Sequence, residues 1–208
     1  MMIETIPVGP LQTNCYLAAC EETDQAVLID PGWSGEALYD LVTGKDLALV
    51  AILLTHAHFD HVAGAGALKQ LSQAPILAHA DSIPFLREAH RHANLWGFPM
   101  EPAPEPDGEL VDGQVLEVGE LQLAVLHTPG HAPGHVCFHE HSARALFDGD
   151  VLFKEGIGRA DLPGGDYQQL MRSIREQLLV LPDDTAVYSG HGPATTIGSE
   201  RRWNPFLR

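Results

Sequence analysis

The sequence is poor in positive charge. Its 208 residues include 12 Lys and Arg against 28 Asp and Glu, so the formal net charge at pH 7 is −16. Proteins that bind nucleic acids or anionic lipid surfaces draw their affinity from clustered Lys and Arg side chains. We therefore expect neither a nucleic acid nor a membrane among the partners of this protein.

The sequence also lacks long apolar runs and has few cysteines. No run approaches the roughly 20 apolar residues that a membrane-spanning helix needs, and no basic stretch precedes an apolar one at the start. Cys15, Cys20 and Cys137 are an odd number and form no Cys-x-x-Cys pair. Few and unpaired cysteines are typical of a reducing compartment. We expect a soluble, cytoplasmic protein.

The patterns that are present predict a layered mixture of strands and helices. With 45% hydrophobic and 19% charged residues, the chain has the composition of a globular protein, and its length suits one domain over residues 1–208. The apolar run 49–54 predicts a strand buried on both faces, followed by a helix over 61–71. Asp166 predicts the start of another helix, and 185–189 the last strand. This order favours two sheets packed face to face, with helices outside.

One segment, 82–108, differs from its surroundings. It contains a short predicted helix and then the run Glu-Pro-Ala-Pro-Glu-Pro-Asp over 101–107. Alternating prolines favour an extended, solvated loop. We predict that this segment is an insertion that acts as a lid.

The strongest chemical signal is the string Thr-His-Ala-His-Phe-Asp-His at 55–61, directly after the predicted buried strand. Residues two apart in an extended segment point the same way, so His56 and His58 can reach one ion. Asp60 and His61 can then face a second position nearby. Imidazole and carboxylate at this spacing suit zinc or a similar first-row ion.

Three later motifs each place a polar side chain among glycines after a predicted strand. They are Thr-Pro-Gly-His at 128–131, Asp-Gly-Asp at 148–150 and Ser-Gly-His-Gly at 189–192. Glycine allows the backbone to turn tightly and to approach an ion closely. The motifs supply His131 for the first ion and His191 for the second, with Asp150 or Asp148 between them.

The other histidines have simpler interpretations. His90 and His92 diverge by about 200° if they lie on a helix, so they cannot share an ion. Hydrogen bonding suffices for the rest, although His135 lies close to His131 in sequence and is the strongest alternative ligand. The remaining members of this set are His79, His127, His139 and His141.

Taken in order, these motifs resemble those of the metallo-β-lactamase superfamily, and the resemblance covers nearly the whole chain. It implies an α/β fold, a four-layer αββα sandwich with two metal ions at one edge of the sheets, and it favours Asp150 over Asp148 as the bridge. The implied ligands are His56, His58, Asp60, His61, His131, Asp150 and His191.

Within the superfamily, the stretch 149–159 is similar to that of the glyoxalase II enzymes, the hydroxyacylglutathione hydrolases. Residues 160–166 look like those of a compact bacterial branch of that group. Arg159 and Asp161 stand where the well-studied enzymes carry a Lys and a Tyr for glutathione. Arg159 is a candidate to bind a substrate carboxylate, and the alternative is an ion pair within the chain.

The resemblance implies a hydrolase that cleaves a thioester such as S-D-lactoylglutathione with a hydroxide generated on two divalent ions. Zinc is the expected metal, with iron or manganese as alternatives. Asp60 is the expected catalytic residue, and either Asp60 or a metal-bound water would supply a proton to leaving groups that need one. Three alternative functions are a persulfide dioxygenase with one iron, a hydrolase of lactones, β-lactams or other esters, and a non-catalytic metal-binding protein.

Overall fold

Two six-stranded sheets lie face to face, and helices cover the outer face of each. The computed structural model describes all residues, 1–208. The first sheet has the order β1-β2-β3-β4-β5-β6, and the second has the order β14-β13-β10-β9-β8-β7. The strands are β1 Met2–Val8, β2 Thr13–Ala19, β3 Gln25–Ile29, β4 Ala48–Leu53, β5 Ile76–His79, β6 Gly108–Leu110, β7 Val115–Val118, β8 Leu121–His127, β9 Val136–Glu140, β10 Ala145–Gly149, β11 Leu152–Phe153, β12 Gly156–Ile157, β13 Ala186–Ser189 and β14 Thr195–Thr196.

The helices divide between the two outer layers. Buried residues of α1, α3 and α4 pack against the outer face of the first sheet, and those of α5, the π turn and α6 against the second. None of the helices has both the length and the apolar character to cross a bilayer. They are α1 Gly35–Thr43, α2 Phe59–Val62, α3 Ala65–Ser72, α4 Ile83–Leu95, α5 Tyr167–Ser173 and α6 Ile197–Trp203, with a 3-10 turn at Ala80–Ser82 and a π turn at Ile174–Leu178.

Strand β2 shows how the sequence specifies the layers. Successive side chains of a strand point to opposite faces, and every residue of β2 is buried. Cys15 and Leu17 pack under the helices, whereas Tyr16 and Ala18 lie between the two sheets. A strand that is apolar on both faces is thus covered on both, and the predicted αββα sandwich is confirmed.

Strand direction brings the predicted ligand motifs to one region. Strands β1 to β3 are antiparallel, whereas β3 to β6 are parallel, and β10 pairs in parallel with β13. The loops that carry the four motifs follow the carboxyl ends of β4, β8, β10 and β13. Loops at the carboxyl ends of neighbouring strands can converge on one site.

The structure corrects two expectations about single elements. The helix predicted over 61–71 is two helices, α2 and α3. Between them lies Gly64, whose N–H donates to the Pro31 carbonyl at 2.8 Å and where a Cβ would overlap the carbonyl oxygens of Pro31 and Trp33. The strand over 185–189 is not the last, since β14 and α6 follow it. The helix that Asp166 begins ends in the π turn. Asp166 itself caps that helix by accepting the Gln169 N–H at 2.9 Å, as predicted.

Segment 82–108 contains a 13-residue helix, α4, and not a short one. The proline-rich run follows α4 without regular structure and leads into β6, which pairs with β5. The segment is therefore connected into the first sheet at its end. That it closes over a substrate stays a prediction, as does the assignment of residues 1–208 to one domain.

The interior between the sheets should dominate the free energy of unfolding. Phe138 is fully buried there, so we expect Phe138→Ala to lower the free energy of unfolding by about 4 kcal/mol. Val180 is 70% exposed, and Val180→Ala should change it by less than about 0.5 kcal/mol. Urea denaturation followed by circular dichroism measures both. Similar losses in the two variants would contradict the assignment of this interior as the main core.

Candidate metal centre

Three imidazoles converge just beyond β4 and β8, and they form the first group, His56, His58 and His131. The Nε2 atom of His56 lies 3.1 Å from Nδ1 of His58, and Nε2 of His131 lies 2.9 Å from the same atom. His56 and His131 are buried, and His58 is partly buried. All three predicted donors of the first ion therefore meet at one point.

The second group is Asp60, His61 and His191. Oδ2 of Asp60 lies 3.2 Å from Nε2 of His191 and 3.6 Å from Nε2 of His61. Asp150 stands between the two groups, with Oδ1 3.5 Å from His61 Nε2 and Oδ2 3.5 Å from His131 Nε2. The structure thus brings all seven predicted donors together, and Asp150 has the position of a bridge.

The hydrogen bonds behind the imidazoles decide which nitrogen faces the site. The Thr55 hydroxyl donates to Oδ2 of Asp30 at 2.6 Å, so it can accept from Nδ1 of His56 at 2.9 Å. His61 Nδ1 donates to the same Asp30 oxygen at 2.9 Å, and His131 Nδ1 donates to the Arg159 carbonyl at 2.7 Å. In each neutral ring the Nε2 lone pair then points into the site, as in metal-binding histidines.

This arrangement leaves acceptors facing acceptors. His61 Nε2 and Asp150 Oδ1 are buried, have no hydrogen-bond partner and lie 3.5 Å apart. Two bare acceptors this close repel each other unless a proton or a cation lies between them. The donor set of imidazoles and carboxylates is the one that zinc and related first-row ions take. The cluster can therefore hold metal ions.

The two groups differ in their electrostatics. Burial lowers the pKa of His56 well below its usual range and that of His58 to about 3, so both rings are neutral near pH 7. Burial acts in the same direction on His61 and His191, but the neighbouring carboxylates outweigh it and raise both pKa values. Asp150 is among those carboxylates. The second group therefore carries the negative charge that a proton or a cation must balance.

Asp60 is held as a carboxylate. Its Oδ2 accepts the Thr13 hydroxyl at 3.0 Å. Burial raises its pKa, but His61 and His191 outweigh burial, and the pKa of Asp60 lies below its ordinary value. A carboxylate that is ionised near pH 7 can accept a proton but has none to give. That Asp60 donates a proton to a leaving group stays a prediction, and it requires the carboxylate first to take up a proton.

Several residues that support the site were missed by sequence reasoning. Asp30 lies at the end of β3 with φ +52°, a left-handed conformation that Asp tolerates, and it binds both Thr55 and His61. Asn14 of β2 holds the loop around His191, because its Nδ2 donates to the carbonyls of Ser189 and Gly192, each at 2.9 Å. The only sequence signal for Asp30 is its place before Pro31-Gly32 at the end of a predicted strand.

The glycines of the motifs have the role that their spacing predicts. A Cβ on Gly190 would overlap Oδ1 of Asp150 and Cε1 of His61. At Gly130 the backbone has φ +132°, and a Cβ would overlap the backbone of Leu170. Only glycine allows the loops of His131 and His191 to approach this closely.

The other candidates lie outside the cluster. Asp148 is fully buried and accepts the Leu152 N–H at 2.8 Å, so the geometry favours Asp150 as the bridge. The ring of His135 stacks on that of His56 with 4.9 Å between the centroids, and its Nε2 accepts the Asp150 N–H at 3.2 Å. His135 therefore supports the ligands from behind. The ring centroids of His79 and His127 lie 4.4 Å apart in a stacked pair. One ring nitrogen of each lies within 4.8 Å of a carboxylate oxygen of Asp81. They share no residue with the two groups.

The cluster lies on the floor of an open cleft of about 870 Å³. His58, Asp60, His131, Asp150 and His191 all reach its surface. Arg159 also lines it, but its guanidinium makes two 2.8 Å contacts with the Asp161 carboxylate. The ion pair that we considered for Arg159 is therefore present. The rest of the lining is largely apolar and comes from residues such as Leu11, Phe59, Phe85, Leu95, Trp96, Phe153 and Leu162.

Known proteins share this sequence and fold. Residues 8–191 match the family described as the Metallo-beta-lactamase superfamily. Hydroxyacylglutathione hydrolase GloC of Haemophilus influenzae is 44% identical over 209 residues, covering 100% of this chain and 98% of that protein. BLEG-1 B3 metallo-beta-lactamase is 42% identical, with a TM-score of 0.92 and 99% of each chain covered. TTHA1623 in a di-iron-bound form is 43% identical, with a TM-score of 0.91 and 98% and 100% coverage.

Asp30 offers a direct test of the support behind the ligands. We expect Asp30→Asn to weaken zinc binding by about 10- to 100-fold, because the amide cannot accept from His61 and Thr55 as the carboxylate does. Competition with a chelator measures the zinc dissociation constants. Asp24→Asn is the matched control, since Asp24 is exposed and has a similar left-handed backbone, φ +56°. Equal affinity in the two variants would show that Asp30 does not support the ligands.

Proposed function

The chain belongs to the metallo-beta-lactamase superfamily and is a metallohydrolase of that superfamily, and from this premise we propose that it hydrolyses thioesters, with S-D-lactoylglutathione as the representative substrate. We further propose two divalent ions as its cofactors, most simply zinc. The observation that carries this proposal is the convergence of seven donors from four loops on the floor of one open cleft. A structural zinc site is closed and needs only four ligands.

Each side chain has a defined task in the proposed reaction. His56, His58 and His131 would hold one ion, Asp60, His61 and His191 the other, and Asp150 both. Divalent ions bound there lower the pKa of water towards 7 and polarise a carbonyl oxygen. Asp30, Thr55 and the Arg159 carbonyl keep the imidazoles oriented, so the donors need not rearrange when a substrate arrives.

A thioester suits the protonation state of this site. The departing thiolate of an ordinary thiol has a pKa of about 8.5, so it can leave without a proton donor. An amide or a β-lactam needs its nitrogen protonated, and the ionised Asp60 would first have to take up a proton before it could supply one. The Asp60 carboxylate, which accepts the Thr13 hydroxyl, could take that proton from an attacking water. GloC of Haemophilus influenzae, a relative whose match covers the whole chain, is named a hydroxyacylglutathione hydrolase, which supports this proposal.

Iron supports a second candidate function. The similar structure of TTHA1623 is in a di-iron-bound form, which makes iron a candidate metal for this chain. A persulfide dioxygenase would use one iron held by two histidines and a carboxylate. We favour the hydrolase because the second group offers a complete set of donors and carries the negative charge that a second cation would balance.

The proposal also includes a location and partners. All three cysteines are free and buried, which agrees with a reducing cytoplasm. We propose a small-molecule thioester as the partner and expect no nucleic acid or membrane surface, because the net charge is −16.

Removal of one first-group ligand should abolish turnover. We expect His58→Ala to lower kcat/KM for S-D-lactoylglutathione by more than about 100-fold. Loss of the hydrogen-bond partner behind a metal ligand can cost up to about that factor, and this variant loses the ligand itself. Thiol release with a chromogenic disulfide measures the rate. His141→Ala is the control, since this histidine is exposed and belongs to neither group. Unchanged turnover in His58→Ala would remove His58 from the site.

Metal content and substrate together separate the two candidate functions. We expect the purified protein to hold two zinc ions per chain by elemental analysis and to release thiol from S-D-lactoylglutathione. The same preparation should consume no oxygen with glutathione persulfide. One iron per chain with oxygen uptake, and no thioester cleavage, would replace the hydrolase by the dioxygenase.

A further inference from the structure

A small hairpin beside the metal centre carries a lysine that the mechanism does not use. Strands β11 and β12 pair with each other alone, and Lys154 and Glu155 form the turn between them. The ring of Phe153 lies 6.5 Å from the ring of His191. Lys154 is exposed and lines the cleft. The hairpin therefore presents a cation on the side of the cleft where the second group lies.

The hairpin is anchored by a buried polar network from the last helix. Glu200 of α6 is 1% exposed and accepts the Glu155 N–H at 2.8 Å. Asn204, also 1% exposed, donates to Glu200 and to the Gly156 carbonyl, each at 2.8 Å. The hydroxyl of Thr195 donates to the second Glu200 oxygen at 2.5 Å. A buried carboxylate is costly unless its hydrogen bonds are made. Here these bonds hold the backbone on either side of the turn.

One lysine and one arginine line the cleft, and only the lysine is free of an ion pair. The Arg159 guanidinium is engaged with both oxygens of Asp161. Lys154 belongs to no ion pair in the structure, although its neighbour Glu155 is acidic and the chain as a whole carries −16. An unpaired ammonium beside an open cleft can receive an anion without first giving up a partner.

The remaining wall of the cleft indicates what such an anion is attached to. Leu95 and Trp96, at the end of α4, are 83% and 61% exposed, and both line the cleft. Phe85 and Leu162 line it as well. Large apolar side chains that are exposed around a cavity commonly mark a binding surface for apolar groups.

We propose that Lys154, and not Arg159, binds a carboxylate of the substrate away from the reacting carbonyl, and that the site accepts thioesters in which an apolar body carries such a carboxylate. This inference rests on the proposed thioesterase function. Lys154 is then a specificity residue, and Glu200 and Asn204 are positioning residues that act through the hairpin.

Two matched thioesters test the inference in the zinc-loaded protein. S-(3-carboxybenzyl) thioacetate and S-benzyl thioacetate differ in the carboxylate and have leaving thiols of similar pKa. We expect Lys154→Met to raise KM for the carboxylated ester about tenfold, with kcat unchanged, and to leave the neutral ester unaffected. Lys154→Arg should restore most of the lost affinity. Lys45→Met, which removes an exposed lysine paired with Glu4, should match the wild type.

Two further variants separate charge from position. Asn204→Ala should raise KM for the carboxylated ester while the zinc content stays at the wild-type value, because the hairpin loosens and the ligands do not. Arg159→Met tests the competing assignment. If Arg159→Met raises KM for the carboxylated ester and Lys154→Met does not, the inference is overturned.

Equilibrium binding keeps this inference distinct from the proposed function. The unreactive S-methyl thioethers of the two thiols can be titrated by calorimetry. We expect the wild type to prefer the carboxylated thioether about tenfold, and Lys154→Met to lose that preference. If the wild type cleaves neither of these thioesters nor S-D-lactoylglutathione, the proposed function fails, and the binding comparison still decides the role of Lys154. An equal preference in wild type and Lys154→Met overturns the inference.

Discussion

The structure depends on one electrostatic constraint, which is that buried acceptors facing one another need a shared positive charge. His61 Nε2 and Asp150 Oδ1 are buried, unpartnered and 3.5 Å apart. Asp30 holds His61 from behind through its Nδ1 atom, and Gly190 packs directly against Oδ1 of Asp150. The fold therefore keeps the donors close together at a cost that a bound cation can offset.

The sequence predicts the parts of this arrangement that are local. Four donors in the string 55–61 follow one strand, and three glycine-rich motifs follow others, so the ligands and the αββα layers could be recognised from spacing and resemblance. Asp30 and Asn14 could not, since they act across 31 and 175 residues of sequence. An isolated Asp or Asn before a turn has the same local pattern whether or not it supports a ligand.

The elements after His191 show a second limit of prediction. Helix α6 has only 7 residues, of which Ser199, Glu200, Arg201 and Arg202 are polar, so it lacks the apolar stripe by which a helix is recognised. Its importance comes from Glu200, which is buried although Arg201 and Arg202 directly after it are exposed. Burial of one carboxylate among charged residues is set by tertiary contacts, and no sequence periodicity reports it.

The ligands and the rim of the cleft contribute differently to function. Ligands of this kind can hold zinc or iron, and similar structures include a B3 metallo-beta-lactamase and a di-iron-bound protein. The donors make a reactive site available, but they contact only the reacting atoms of a substrate. Discrimination between substrates depends on groups that touch the rest of the molecule, because selectivity is a difference between two binding free energies. In this chain those groups are the apolar end of α4 and the anchored hairpin. The choice of substrate is therefore made by residues that the metal motifs do not include.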